Sequence, residues 1–124
     1  MNLVFDPALP IYTQIVDGFK REICSGTLKP GEKVLPVREL ALNLGVNPNT
    51  LQRALSELER EGLLYTERTA GRFITKDQDL INRLRNDLTK ELVKDFLEKM
   101  ASLGCSLEEI ERFIKENGGE LDNE

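Results

Sequence analysis

The side chains best suited to chemistry in this sequence are gathered on one short stretch, Asn47 to Arg60. At about 100° per residue, Leu51, Ala54, Leu55 and Leu58 fall on one side of a helix, which sends Asn49, Arg53, Ser56 and Arg60 toward the other. Carboxamides and guanidinium groups read adenine and guanine edges in the major groove of DNA, and the first amides of a helix aim donors at phosphate. Asn47 and Thr50 lie in that first turn. The plain alternative is an ordinary solvated helix face, and Glu57 and Glu61 on neighbouring faces would repel DNA if they lay in the groove. The surrounding elements have to decide between the two.

Other chemistries find less support. The chain has no His, so no Ser-His-Asp triad, Cys-His pair or imidazole-ligated zinc can be built from it alone. Cys24 and Cys105 stand far apart with no CxxC, which indicates neither a disulfide framework nor a zinc knuckle. The carboxylates Glu108, Glu109 and Glu111 suit the start of a helix and need no catalytic role. No enzyme, metal or cofactor is expected.

The elements that must position the polar face read clearly. Ile11, Ile15, Phe19 and Ile23, joined by Tyr12 and Val16, predict a helix over 11–25, stopped by Gly26. Pro30-Gly31 suits a tight turn, after which Lys33 to Leu35 leaves room for a short strand. Pro36 fits a first helical turn, and Val37, Leu40, Ala41 and Leu44 carry a short helix to Gly45. Asn47 as N-cap and Pro48 at the first position open the next helix, which Gly62 closes. Two short helices joined this tightly read as a helix-turn-helix. The β-compatible runs Leu63 to Glu67 and Arg72 to Thr75, flanking a hairpin loop Arg68-Thr69-Ala70-Gly71, then read as a wing. Leu80, Leu84, Leu88, Leu92, Phe96 and Met100 recur every four residues, predicting a long helix. Past Gly104, Ser106 and Glu109 form a capping box for a last helix bearing Leu107, Ile110, Phe113 and Ile114; from Asn117 the end is polar and expected to fray. The fold class is therefore mainly α with a small β wing: a winged helix-turn-helix at 1–76 followed by a two-helix tail at 77–124.

The formal charge of −5 is unevenly spread. Residues 1–76 hold 10 Lys/Arg against 9 Asp/Glu, and residues 77–124 hold 7 against 13, so the acidity belongs to the tail. The N-terminus has neither a basic region nor a long apolar core, and no 18-residue apolar run occurs; a cytoplasmic protein without membrane contact is expected.

From Pro10 to Ile74 the chain resembles the winged helix-turn-helix of GntR-family bacterial transcriptional regulators. The resemblance rests on Pro10-Ile11-Tyr12-Thr13-Gln14-Ile15, Gly26-Thr27-Leu28-Lys29-Pro30-Gly31-Glu32-Lys33, Val37-Arg38-Glu39-Leu40-Ala41, Gly45-Val46-Asn47-Pro48-Asn49-Thr50 and Leu58-Glu59-Arg60-Glu61-Gly62-Leu63. The short helical remainder is similar to the YtrA-like subfamily. The resemblance implies that Arg38 holds DNA backbone, with a guanine as its alternative partner, that Asn47, Asn49, Thr50 and Arg53 are the main recognition-helix contacts with Gln52 nearer the flank, and that Arg68, Ala70, Gly71 and Arg72 lie at or near the minor groove. Two departures stand out. Val34-Leu35-Pro36 replaces the family's Leu-Pro-Ser, removing a hydroxyl, and Thr69-Ala70-Gly71-Arg72-Phe73-Ile74 replaces Gly-x-Gly-Thr-Phe-Val, trading an easy positive φ for a cation.

The apolar stripe Leu80, Leu84, Leu88, Leu92, Phe96 and Met100 is too long for the last helix to cover, so a homodimer built on the tail is expected. Such a dimer would set two recognition helices about 34 Å apart on a palindromic operator. The resemblance implies a transcriptional repressor that binds double-stranded DNA. A small-molecule effector, if one exists, is of unknown identity and expected at the dimer interface or between tail and winged domain. The rival reading is a winged-helix module that binds protein instead of DNA.

Overall fold

In the computed structural model, which describes residue 1 and residues 3–121, five helices and one hairpin follow in the order α1 (Ile11–Ser25), α2 (Val37–Leu44), α3 (Pro48–Arg60), β1 (Leu64–Glu67), β2 (Gly71–Ile74), α4 (Gln78–Ser102) and α5 (Leu107–Asn117). The fold is mainly helical with a two-stranded wing, as the periodicities require. The expectation of a frayed acidic end reaches residues 122–124, which lie outside the described residues; Asn117 itself closes α5.

Local chemistry explains each boundary. No side chain of Pro10 can cap α1, so Gln14 closes the entry instead: its Nε2 donates to the carbonyls of Asp6 (2.8 Å) and Leu9 (3.0 Å), and its Oε1 accepts from the Asp6 N–H (2.7 Å). Pro36 stands one residue before α2 with ψ 147°, rather than inside the first turn, and as N-cap its carbonyl accepts the first helical bond, from Leu40 N–H at 2.9 Å. Gly45 adopts φ 68°, a left-handed conformation that costs a β-carbon-free residue little, and its N–H meets the carbonyls of Ala41 and Leu42. Asn47 then caps α3, its Oδ1 accepting from the Asn49 N–H at 2.7 Å, while Pro48 sits where the missing N–H would have no partner.

The hairpin is tighter than the sequence suggests. Gly71 belongs to β2, paired with Glu67, so the loop is Arg68-Thr69-Ala70, closed by the Ala70 N–H donating to the Glu67 carbonyl (3.1 Å). Within the hairpin positive φ falls on Gly71 (109°) and not on Thr69, which explains how the turn tolerates the loss of the first glycine. Leu63 and Thr75 lie just outside the strands. The expected strand at Lys33 to Leu35 reduces to one bridge between Lys33 and Phe73, flanked by hydrogen bonds from Val34 N–H to Arg72 O (2.9 Å) and from Ile74 N–H to Glu32 O (2.8 Å). Pro36, having no N–H, cannot extend that ladder.

By their contacts the residues form two units, 1–86 and 87–124. In the first, Ile15, Phe19 and Ile23 of α1 meet Leu51, Leu55 and Leu58 of α3, with Leu40 and Leu44 of α2, Leu63, Leu64 and Ile74 of the wing, and Ile81 closing one core. Leu80 and Leu84 pack at its edge, so the first turns of α4 belong to this core. In the second unit Ile110 is buried, and Leu92, Val93 and Phe96 are exposed. Its α5 carries the expected capping box, with Glu109 N–H donating to Ser106 Oγ and Ser106 N–H to Glu109 Oε1, both 3.2 Å. Among the described residues, no helix is long and apolar enough to cross a membrane.

Candidate nucleic-acid interface

The polar face of α3 exists because its apolar face is fully used. Leu51, Ala54, Leu55 and Leu58 are all 0% exposed. The remaining directions leave Asn47, Asn49, Gln52, Arg53 and Ser56 exposed and Thr50 half-buried at the first turn. Arg38, at the second residue of α2, is exposed on the first helix of the helix-turn-helix, where Arg38, Leu42, Val46 and Pro48 line an open groove of about 420 Å³. Arg68 is exposed at the wing turn; Ala70 is half-buried and Gly71 exposed beside it.

Arg53 is oriented by a neighbour that sequence reading did not assign to the site. Its guanidinium lies over the Tyr12 ring of α1, 5.2 Å from the centroid. A cation held over an aromatic face stays charged and exposed yet loses part of its rotamer freedom, which lowers the cost of ordering it on a partner. Asn47 spends its side-chain oxygen on the helix cap and keeps its amide nitrogen for other partners.

The carboxylates that argued against DNA are each met by a cation. Glu57 accepts from Arg60 Nε at 2.8 Å, Glu61 from Lys20 Nζ at 3.0 Å, and Glu59 lies 3.7 Å from Arg72 Nε while accepting the Thr66 hydroxyl. The hydrogen bond from Arg60 holds the Glu57 carboxyl below its usual range, and the same contact raises Arg60. The acidic residues are therefore neutralised in place, at the end of α3 away from Asn47 and Asn49.

Arg72 is the site residue whose placement departs most from a wing-tip cation. It faces α3, its side chain only 20% exposed, with Nη1 donating to Gln52 Oε1 at 3.3 Å. Strand alternation is the signal that could have shown this. Arg72 shares a face of the hairpin with buried Ile74, and Thr66 with buried Leu64, while Tyr65 and Phe73 stack on the other face at 5.5 Å. The structure thus brings Gln52 and Arg72 together and leaves Arg38 and Arg68 on exposed surface.

The six stripe residues are not one surface. Leu80 and Leu84 serve the first core, Leu88 and Met100 are half-buried, and Leu92 (69%) and Phe96 (40%) are exposed. Within the second unit, Thr89, Val93, Lys94, Leu97 and Ala101 line an open groove of about 530 Å³.

The chain and its fold have counterparts among known proteins. Residues 11–74 match the model of the bacterial regulatory proteins of the gntR family. The HTH-type transcriptional repressor YtrA of Bacillus subtilis is 37% identical over 108 residues, covering 86% of this chain and 83% of that protein. A GntR family transcriptional regulator from Listeria monocytogenes shares 45% identity and a TM-score of 0.85, covering 90% of this chain and 98% of that one. The DNA-binding domain of AraR, solved in complex with the operator ORX1, shares 30% identity and a TM-score of 0.52 over 59% of this chain and 93% of that one. With the helix-turn-helix, the paired wing and a matching family model over more than half its length, the chain belongs to the GntR family of transcriptional regulators, with YtrA among its relatives.

Proposed function

We propose that this regulator is a repressor that binds a palindromic operator in double-stranded DNA as a homodimer, in the cytoplasm. The observation that carries the DNA reading is the exposed face Asn49, Gln52 and Arg53 on a helix whose acidic groups are each occupied by a cation. Asn49 and Gln52 suit adenine, Arg53 suits guanine, and the start of α3 with Arg38 suits phosphate. Arg68 at the wing turn adds a cation suited to the minor groove. The repressor role follows the name of the YtrA relative, and the operator follows the AraR complex. Dimerisation is supported by the exposed apolar run Leu92, Val93 and Phe96, which one chain leaves in water. With two copies, the tail would join two winged domains and so read two half-sites. A small-molecule effector, where one acts, would choose between two dimer geometries by its differential affinity.

Footprinting across the DNA upstream of the protein's own gene tests this reading. The expected result is one protected region with two-fold symmetry, an affinity that falls steeply with salt, and reduced transcription from that promoter on addition of protein. Equal binding to all sequences, or affinity indifferent to salt, overturns it.

A further inference from the structure

We infer that Arg72 is a specificity-positioning residue: from the wing it fixes the orientation of the Gln52 carboxamide on the recognition helix, and so sets which base edge Gln52 accepts. The inference rests on the DNA-binding reading above and adds to it an internal partner for one of the reading side chains.

The geometry begins with the hairpin register. Arg72 stands opposite Thr66, and both point toward α3 because their strand neighbours at two-residue spacing, Ile74 and Leu64, are core residues. Glu59 of α3 accepts the Thr66 hydroxyl and lies 3.7 Å from Arg72 Nε, which is buried and has no hydrogen-bond partner of its own. Glu59, itself held by Thr66, therefore sets its charge against the base of the guanidinium. The far end of the same planar group reaches Gln52, Nη1 donating to Oε1 at 3.3 Å. On the other side, Gln52 Nε2 donates to Ser56 Oγ at 3.3 Å.

A carboxamide held at both ends cannot turn over. Its oxygen must face the guanidinium, since a rotated Gln52 would set its NH₂ against another donor. One lone pair on Oε1 and one hydrogen on Nε2 remain, and that adjacent acceptor and donor form the pair an adenine edge requires. An unheld glutamine presents either order of donor and acceptor and pays rotamer entropy on binding. Lysine in place of Arg72 could supply charge but not a rigid fork spanning Glu59 and Gln52.

The test uses the full chain with duplexes selected from a randomised pool, for the parent protein, Gln52→Ala, Arg72→Ala, Arg72→Lys and the Gln52→Ala/Arg72→Ala pair, each checked for an intact melting transition. Gln52→Ala is expected to flatten base preference at one position per half-site by roughly tenfold. Arg72→Ala and Arg72→Lys should flatten that same position, and the pair should lose no more than Gln52→Ala alone. The side-chain NH₂ resonances of Gln52 in the DNA-free protein should be dispersed in the parent and collapse toward free-amide positions in Arg72→Lys. If Arg72→Ala weakens selected and random DNA alike while Arg72→Lys restores binding, Arg72 is a phosphate contact and the inference is overturned. Gln52 resonances indifferent to both Arg72 substitutions also overturn it, whatever the DNA result. A parent protein that selects no sequence, with the Gln52 resonances still dependent on Arg72, instead overturns the operator reading and leaves the positioning contact established.

Discussion

Residues 1–86 bury fifteen hydrophobic side chains in one core, whereas among the described residues 87–121 only Ile110 is buried. Both stretches are rich in helix and both carry apolar stripes. The first stretch returns on itself, α1 crossing α3 with α2 and the wing closing the ends, so each stripe finds another. The second offers the remainder of α4 and the short α5, and Leu92, Val93, Phe96, Leu107 and Ile114 stay exposed. An apolar stripe alone therefore does not say whether a helix belongs to a chain's own core; what matters is whether the same chain supplies a face to cover it.

The contrast can be broken from its strong side first. Leu55→Ala removes a side chain that is 0% exposed at the centre of the first core and is expected to cost about 2–5 kcal/mol, read as a lowered denaturation midpoint. A loss under roughly 1 kcal/mol would mean that this core collapses around the gap and is less complete than its burial implies. On the weak side, Leu92→Asp changes a side chain that is 69% exposed in one chain. If a second copy covers it, the dimer should dissociate by an amount on the order of 3 kcal/mol or more, because the interface then encloses an unpaired carboxylate. Sedimentation equilibrium measures this, and the winged domain's melting should not change. A variant that stays dimeric places the contact elsewhere on the tail.

Arg53→Ala sharpens the comparison at the surface of the completed unit. Its stack on Tyr12 is exposed and worth about 0.5–1 kcal/mol to the fold, while loss of a base contact should cost roughly 1–3 kcal/mol of operator affinity. Titrations on operator and random duplexes separate the outcomes, equal losses on both assigning Arg53 to phosphate. The smallest effect is in the tail. Backbone and side-chain hydrogen bonds from Ser106 hold Glu109 below its ordinary value of 4.5. A carboxyl depressed in the folded state stabilises above its unfolded pKa and loses that contribution as pH falls through the folded value. Protection of the amides in the first turn of α5, taken relative to the intrinsic exchange rate at each pH, should thus fall below about pH 4.5. Ser106→Ala should remove most of that pH dependence, and an unchanged profile would assign the dependence to other carboxyls.

Much of the fold was legible because its signals are local. The caps at Asn47 and Ser106, the stop at Gly45 and the stripes of α1 and α3 are each read within a few residues, and each is found in place. Boundaries slipped where a non-local partner decides them. Gly71 joins β2 because Glu67 pairs with it, and Lys33 to Leu35 stops at one bridge because Pro36 cannot donate. The site was legible as a set of residues but not as a set of contacts. Helical periodicity puts Asn49 and Arg53 on the outer face of α3, while Tyr12 beneath Arg53 belongs to another helix and carries no local signal.

The sequence by itself determined the winged helix-turn-helix, the polar outer face of the third helix and the acidic, stripe-bearing tail, since periodicity, caps and charge are properties of neighbours along the chain. Tertiary structure decided which charges are spent inside the protein. Arg72 reads as a wing cation until the hairpin turns its face onto α3, where Glu59 and Gln52 take it up, and Glu61 reads as repulsive until Lys20 of α1 meets it. The same holds for Leu80 and Leu84, which share a stripe with Leu92 and Phe96 but lie against the first core. A side chain's type and spacing fix the direction in which it leaves its own element, whereas the partner waiting there comes from an element distant in sequence, and only packing brings the two within a few ångströms.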